Sequence, residues 1–144
     1  MSQAPTLLLI DDSRFIHNVV RARLAFFGVH VLSAFSGEEG LLLARSFEPN
    51  LILLDVEMPS LDGFEVCRRL KADATLADIP VIFLVGASPE KQTIRGLELG
   101  AVECLAKPID PAELQATVVA RLEMNEMVGA GDGHGLLPAR MQSA

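Results

Sequence analysis

Leu51-Ile52-Leu53-Leu54-Asp55-Val56-Glu57-Met58-Pro59-Ser60-Leu61-Asp62-Gly63 decides how this chain folds. Leu51 to Leu54 show no alternation of polar and apolar residues, which suits a strand buried on both faces of a parallel sheet. The run stops on a carboxylate, Asp55, and Met58-Pro59 and Asp62-Gly63 then turn the chain away. A charge at the end of a buried strand is pinned at the sheet rim, where open α/β proteins place their chemistry.

Upstream, Thr6-Leu7-Leu8-Leu9-Ile10 is a second apolar run that also ends on acid, Asp11-Asp12. Asp12 or Ser13 is the expected cap of a helix over residues 14–27, and Gly28 is its stop. Spacing puts Ile16, Val20, Leu24 and Phe27 on the core side of that helix, and Arg14, His17, Asn18 and Arg21 on the outer side. Residues 30–34 alternate weakly and read as an edge strand. Ser36-Gly37-Glu38-Glu39 is a capping box, opening a helix to about Ser46 that contacts the core through Leu41 to Ala44.

Downstream, residues 64–72 read as a helix with Phe64, Cys67 and Leu70 inward, and 73–78 as an irregular connection. Val81 to Val85 is fully apolar and rich in β-branched residues, a central strand. Ser88-Pro89-Glu90 has the form of an N-cap, an N1 proline and an early acid, starting a helix to about Leu99 that Gly100 ends. Val102 to Ala106 is the fifth strand and runs into Lys107-Pro108. Asp110-Pro111-Ala112-Glu113 opens a last helix with Leu114, Val118, Leu122 and Met124 as its stripe. Residues 125–144, with four glycines between Gly129 and Gly135, read as a flexible tail or linker stub.

Strands alternating with helices predict an α/β fold: a five-stranded parallel sheet of flavodoxin-like order 2-1-3-4-5 in three α/β/α layers. One domain fits the length of 144 residues. Half the residues are apolar, and no apolar run approaches the roughly 20 residues of a membrane span. No signal peptide opens the chain, so a cytoplasmic location is expected. A net charge of −7 argues against direct nucleic-acid binding. Cys67 and Cys104 match no metal or redox spacing and read as small apolar fillers.

The 2-1-3-4-5 order would bring Asp11, Asp12, Asp55 and Lys107 to one rim. Three carboxylates together resist ionisation unless a cation compensates. Mg²⁺ takes one or two carboxylates plus water and phosphate oxygens, and Lys107 adds a fixed positive charge. Such a set suits phosphorylation of Asp55 as a nucleophile.

Asp11-Asp12, Asp55 with Met58-Pro59 and Asp62-Gly63, and Lys107-Pro108 together resemble the CheY-like receiver domain of two-component response regulators, over residues 4–124. The resemblance implies that a sensor histidine kinase or phosphotransfer protein donates a phosphoryl group to Asp55. It also implies Mg²⁺ bound by Asp12, Asp55 and the backbone carbonyl of Glu57, with Asp11 acting through water. Lys107 would contact the phosphoryl group, and Pro108 would follow a cis bond. Kinase docking is implied beside the first helix, and a homodimer contact on helix four, strand five and helix five. No enzymatic activity is expected beyond the domain's own phosphoryl transfer and dephosphorylation.

Two positions depart from the family pattern. The switch Thr or Ser at the end of strand four falls at Val85, leaving the Gly86 N–H as a remaining donor. The switch aromatic of strand five falls at Cys104. Phosphate acceptance with a weakened or rewired readout is one reading. A pseudo-receiver acting as a phosphorylation-independent interaction module is the alternative.

Overall fold

A computed structural model describes residues 4–131, and side chains are described through Met124. The chain alternates β1 (Thr6–Ile10), α1 (Arg14–Leu24), β2 (His30–Ala34), α2 (Gly37–Phe47), β3 (Leu51–Asp55), α3 (Gly63–Ala72), β4 (Val81–Val85), α4 (Pro89–Glu98), β5 (Glu103–Ala106) and α5 (Pro111–Gly131). The strands form one parallel sheet of order β2-β1-β3-β4-β5, so the expected topology holds.

Strand periodicity explains the lack of visible alternation in β1, β3 and β4. Leu8, Ile10, Ile52, Leu54, Val81, Phe83 and Val85 point into a core under α2 and α3. Leu7, Leu9, Leu51, Leu53, Ile82 and Leu84 point the opposite way, onto Val20 and Leu24 of α1 and Leu114, Val118 and Leu122 of α5. Both sheet faces are dry, so both sets of side chains must be apolar. Leu76, buried in the irregular 73–78 connection, anchors that segment to the first core.

The helix starts follow their local chemistry. Ser13 caps α1 through the Ile16 N–H, Ser36 caps α2 through Glu39, and Asp62 caps α3 through Glu65. Glu39 reaches back to the Phe35 N–H at 2.7 Å, completing a box-like pair.

Several side chains sit elsewhere than their spacing predicts. His17, expected on the outer side of α1, is buried against β2. α1 stops at Leu24, and Ala25–Phe27 tighten into a 3₁₀ turn before Gly28 takes a left-handed φ of 68°. The tighter turn swings Phe27 off the core stripe, leaving it 44% exposed. Leu42 and Met124 also face solvent. Ser88 is left-handed (φ 51°) and makes no side-chain cap to α4, contrary to its Ser-Pro-Glu signature. α5 continues to Gly131, past the expected end near 124, and the rest of the tail (132–144) lies outside the described residues.

Candidate phosphoacceptor site

Register explains why the acids meet. Ile10 of β1 lies beside Leu54 of β3, so Asp11 and Asp55, each one residue further, leave the sheet side by side. One carboxylate oxygen from each of Asp11, Asp12 and Asp55 falls within 4.8 Å of the others. Asp11 and Asp55 are buried, and Asp12 is exposed at the mouth. Lys107 comes from the far side of β4. Its N–H donates to the Val85 carbonyl at 2.7 Å, the bond to Pro108 is cis, and its ammonium reaches across to the acids. Lys107 Nζ lies 3.0 Å from Asp55 Oδ1 and 3.3 Å from Asp11 Oδ2.

The loop after β3 is shaped around Asp55. Gly63 N–H donates to the Val56 carbonyl at 2.9 Å, and a Cβ at Gly63 would drive into the Asp55 carbonyl oxygen. Only glycine allows that approach. Within the loop, Glu57 N–H donates to Asp55 Oδ1 at 3.3 Å.

The electrostatics are unbalanced toward negative charge. Burial first, then the neighbouring Asp11 charge, raises the Asp55 carboxyl from 3.8 to about 6, although Lys107 and the Glu57 N–H pull it down. Burial works against the Lys107 ammonium, but its hydrogen bond to Asp55 and the charges of Asp11 and Asp55 outweigh that and raise its pKa above the usual range. Asp11 Oδ2 is buried and ion-paired with Lys107 Nζ at 3.3 Å, with no hydrogen bond beside it. A buried carboxylate oxygen whose partner is the Lys107 ammonium, beside two more carboxylates, is a donor set for a hard divalent cation, so the residues present fit Mg²⁺.

The remaining expected residues divide in two. Val85 ends β4 beside the site, and Gly86 follows it. The Gly86 N–H is already taken, donating to Gln92 Oε1 at 2.9 Å. Gln92 Nε2 donates in turn to Glu57 Oε2 at 3.3 Å, so an α4 side chain bridges two loops of the rim. Nothing in the α4 sequence singled out Gln92; its place one turn into a helix aimed at the rim appears only in three dimensions. Cys104, paired with Phe83 in register, faces α4 and lies apart from the carboxylates. With Val85, Pro89, Thr93, Ile94 and Ala106 it lines a mainly apolar groove of about 400 Å³. Cys67 is buried in the core, as a filler.

His17 is a further residue that periodicity misplaces. Its ring meets Asp11 O and Ser33 Oγ, each at 2.8 Å, and lies 4.1 Å from the Phe35 ring.

Comparison with known proteins bears on the family and the fold. The response regulator receiver domain profile matches residues 7–119. The transcriptional regulatory protein AfsQ1 of Streptomyces coelicolor is 40% identical over 122 residues, covering 85% of this chain and 53% of that protein. The DNA-binding dual master transcriptional regulator RpaA of Synechocystis is 38% identical over 130 residues, covering 90% and 54%. The chain thus spans about half the length of these curated relatives. The solved structure of the chemotaxis protein CheY4 of Vibrio cholerae superposes with a TM-score of 0.73 at 30% identity, over 84% of this chain and 99% of that one. Fold, sequence and the convergence of Asp11, Asp12, Asp55 and Lys107 agree, and the chain belongs to the response regulator receiver domain family.

Proposed function

We propose that residues 4–124 form a phosphoacceptor unit that takes a phosphoryl group onto Asp55 from a sensor histidine kinase or phosphotransfer protein. The observation that carries this reading is Asp55 itself: a buried carboxylate held by Lys107 at 3.0 Å, beside two further acids. Asp55 Oδ1 accepts from both Lys107 and the Glu57 N–H, which leaves Oδ2 as the attacking atom. Oδ2 forms a bond to phosphorus, the phosphorus–nitrogen bond of the donor phosphohistidine breaks, and the electron pair leaves with the imidazole. Water later cleaves the aspartyl phosphate and restores Asp55.

Asp11, Asp12, Asp55 and the Glu57 carbonyl would hold Mg²⁺, which supplies positive charge against the transferring phosphoryl oxygens. Lys107 supplies a second, permanent positive charge on the Asp11–Asp55 side of the rim. The chain promotes its own phosphorylation and dephosphorylation and acts on no other substrate.

Docking of the donor beside α1 is supported by Phe15, which is 71% exposed on that helix, and by Arg14 and Asn18. A homodimer or downstream contact fits the α4–β5–α5 face, where Ile94 and Leu97 are exposed and the Cys104 groove opens. Among the described residues no helix is long and apolar enough to cross a membrane. Any contact with DNA would lie outside this unit.

The switch is atypical. Val85 has no hydroxyl to offer a phosphoryl group, and the Gly86 N–H must first leave Gln92. Incubation with Mg²⁺ and a small phosphodonor, followed by intact mass measurement, tests the proposal. The expected result is a gain of one phosphoryl group in the wild-type chain, none in Asp55→Asn, and none with chelator. No gain in the wild type overturns it. A partner affinity unchanged by Asp55→Asn would favour the phosphorylation-independent module instead.

A further inference from the structure

His17 is a buried imidazole that the phosphoacceptor chemistry does not use, yet both ring nitrogens are engaged. A carbonyl oxygen can only accept, so Nε2 carries a hydrogen and donates to Asp11 O at 2.8 Å. The Ser33 hydroxyl receives the Arg21 N–H at 2.8 Å and shares a hydrogen bond with His17 Nδ1, also at 2.8 Å, in which a neutral imidazole accepts. A continuous chain therefore runs from the α1 surface, through the edge strand β2, into the acid cluster: Arg21 to Ser33 to His17 to Asp11. The tilted ring of Phe35 closes the outer side of the imidazole.

At Asp11 the chain completes a clamp. Its N–H donates to the Ala34 carbonyl at 3.1 Å, its carbonyl accepts from His17, and its Oδ1 accepts from the Ser13 N–H at 2.8 Å. The remaining oxygen, Oδ2, carries no hydrogen bond, is ion-paired with Lys107 at 3.3 Å and faces the cluster. Without the His17 bond, the Asp11 N–H keeps Ala34 and its carboxylate keeps Ser13 and Lys107, but the carbonyl side of the peptide is unheld and the direction of Oδ2 is less tightly set.

We infer that His17 is a positioning residue for divalent-cation binding, holding Asp11 so that Oδ2 is directed into the site. This rests on the reading of the acid cluster as a Mg²⁺ site. The chain also gives α1 a route to that site. A partner carboxylate that drew Arg21 away from Ser33 would loosen the Nδ1 side of the imidazole, coupling contact on α1 to the orientation of Asp11.

The test uses Mg²⁺ affinity, measured by calorimetry on the whole chain without phosphodonor, beside thermal stability of the same variants. His17→Phe keeps a ring on Phe35 and loses both hydrogen bonds. His17→Gln loses the ring but keeps an amide N–H that can reach Asp11 O. Partners that orient metal ligands typically contribute about 10–100-fold to metal affinity. His17→Phe should therefore weaken Mg²⁺ binding by about tenfold or more, whereas His17→Gln should stay near wild type. Stability should rank the other way, Phe above Gln, because Phe preserves the apolar stacking. If His17→Phe does not fold, Ser33→Ala, on the half-buried edge strand, carries the test with an expected several-fold loss of affinity. Wild-type affinity in His17→Phe, or affinities that simply track stability, overturn the inference; so does wild-type affinity in Ser33→Ala when His17→Phe cannot be read. A wild-type chain that binds no Mg²⁺ overturns the site reading itself.

Discussion

Replacing Asp55 by Asn should make the chain more stable at neutral pH when divalent cations are chelated. Burial first, and the Asp11 charge second, lift the Asp55 carboxyl from 3.8 to about 6. Between those values the folded state binds more protons than the unfolded one, so stability falls as pH rises through the window. The penalty is absent below 3.8 and fully present above about 6. At roughly 1.36 kcal/mol per pH unit, the distance from 3.8 to about 6 is worth at most about 3 kcal/mol. Solvent at the open rim screens part of this, which leaves about 1–3 kcal/mol. Asn removes the charge, keeps the shape, and retains a carbonyl oxygen that can accept from Lys107. Urea denaturation in chelator, followed by far-UV circular dichroism, reads the difference, with equal m-values as the control. Asp55→Asn should gain about 1–3 kcal/mol at neutral pH, and the gain should shrink as the pH falls toward 3.8. Saturating Mg²⁺ should narrow the gap, because a cation that binds only the folded site stabilises the wild type. An Asn variant of equal or lower stability at neutral pH would refute the view that the cluster holds unrelieved repulsion.

Three further outcomes follow from other parts of the structure. Gly63→Ala should lose about 1–3 kcal/mol in the same denaturation assay, because the added methyl meets the Asp55 carbonyl and the Val56 Cα, both backbone. Unaltered stability would show that the loop yields at little cost. Gln92→Ala should strengthen binding of a fluoroberyllate phosphoryl mimic by about three- to tenfold, since a competing hydrogen bond of about 0.5–1.5 kcal/mol to Gly86 is gone. An NMR titration giving the wild-type affinity would mean that Gln92 does not compete for that N–H. Asp73 accepts from the Thr75 hydroxyl and amide, chiefly, with Arg45 nearby, and its pKa is lowered. Its stabilisation is present above the unfolded value of 3.8 and lost as pH falls through the lower folded value. Asp73→Ala should therefore be less stable near neutral pH and converge with wild type in acid; parallel stability curves would contradict this.

How far the sequence discloses the structure depends on which neighbours a residue needs. Leu51 to Asp55 and Thr6 to Ile10 could be read because burial on both sheet faces imposes one simple demand, apolar side chains throughout. The meeting of Asp11, Asp12, Asp55 and Lys107 could be read because strand ends share a rim once the strand order is given, and parallel register then places Asp11 beside Asp55. Helix faces were less legible, since a small change of twist moves a side chain off its stripe. Phe27 left the core when α1 tightened, and Ser88 gave up its cap for a left-handed turn.

His17 and Gln92 were illegible for a different reason: each is defined by contacts on other elements. Polarity and helical spacing put His17 on the solvent side of α1, but Ser33 on the edge strand and the Asp11 carbonyl supply two partners that make its burial tolerable. Gln92 looks like an ordinary solvated residue of α4 until Gly86 and Glu57 are placed beside it. Both side chains tie a helix to the loops around Asp55. Val85 at the rim has no hydroxyl and Cys104, facing α4, is no aromatic, so under the proposed phosphorylation of Asp55 the Gln92 amide and the His17 imidazole are contacts through which a change would act. On the proposed function, the readout would depend on hydrogen bonds that a phosphoryl oxygen can compete for, at Gly86, and on a helix surface that a partner can pull, at Arg21.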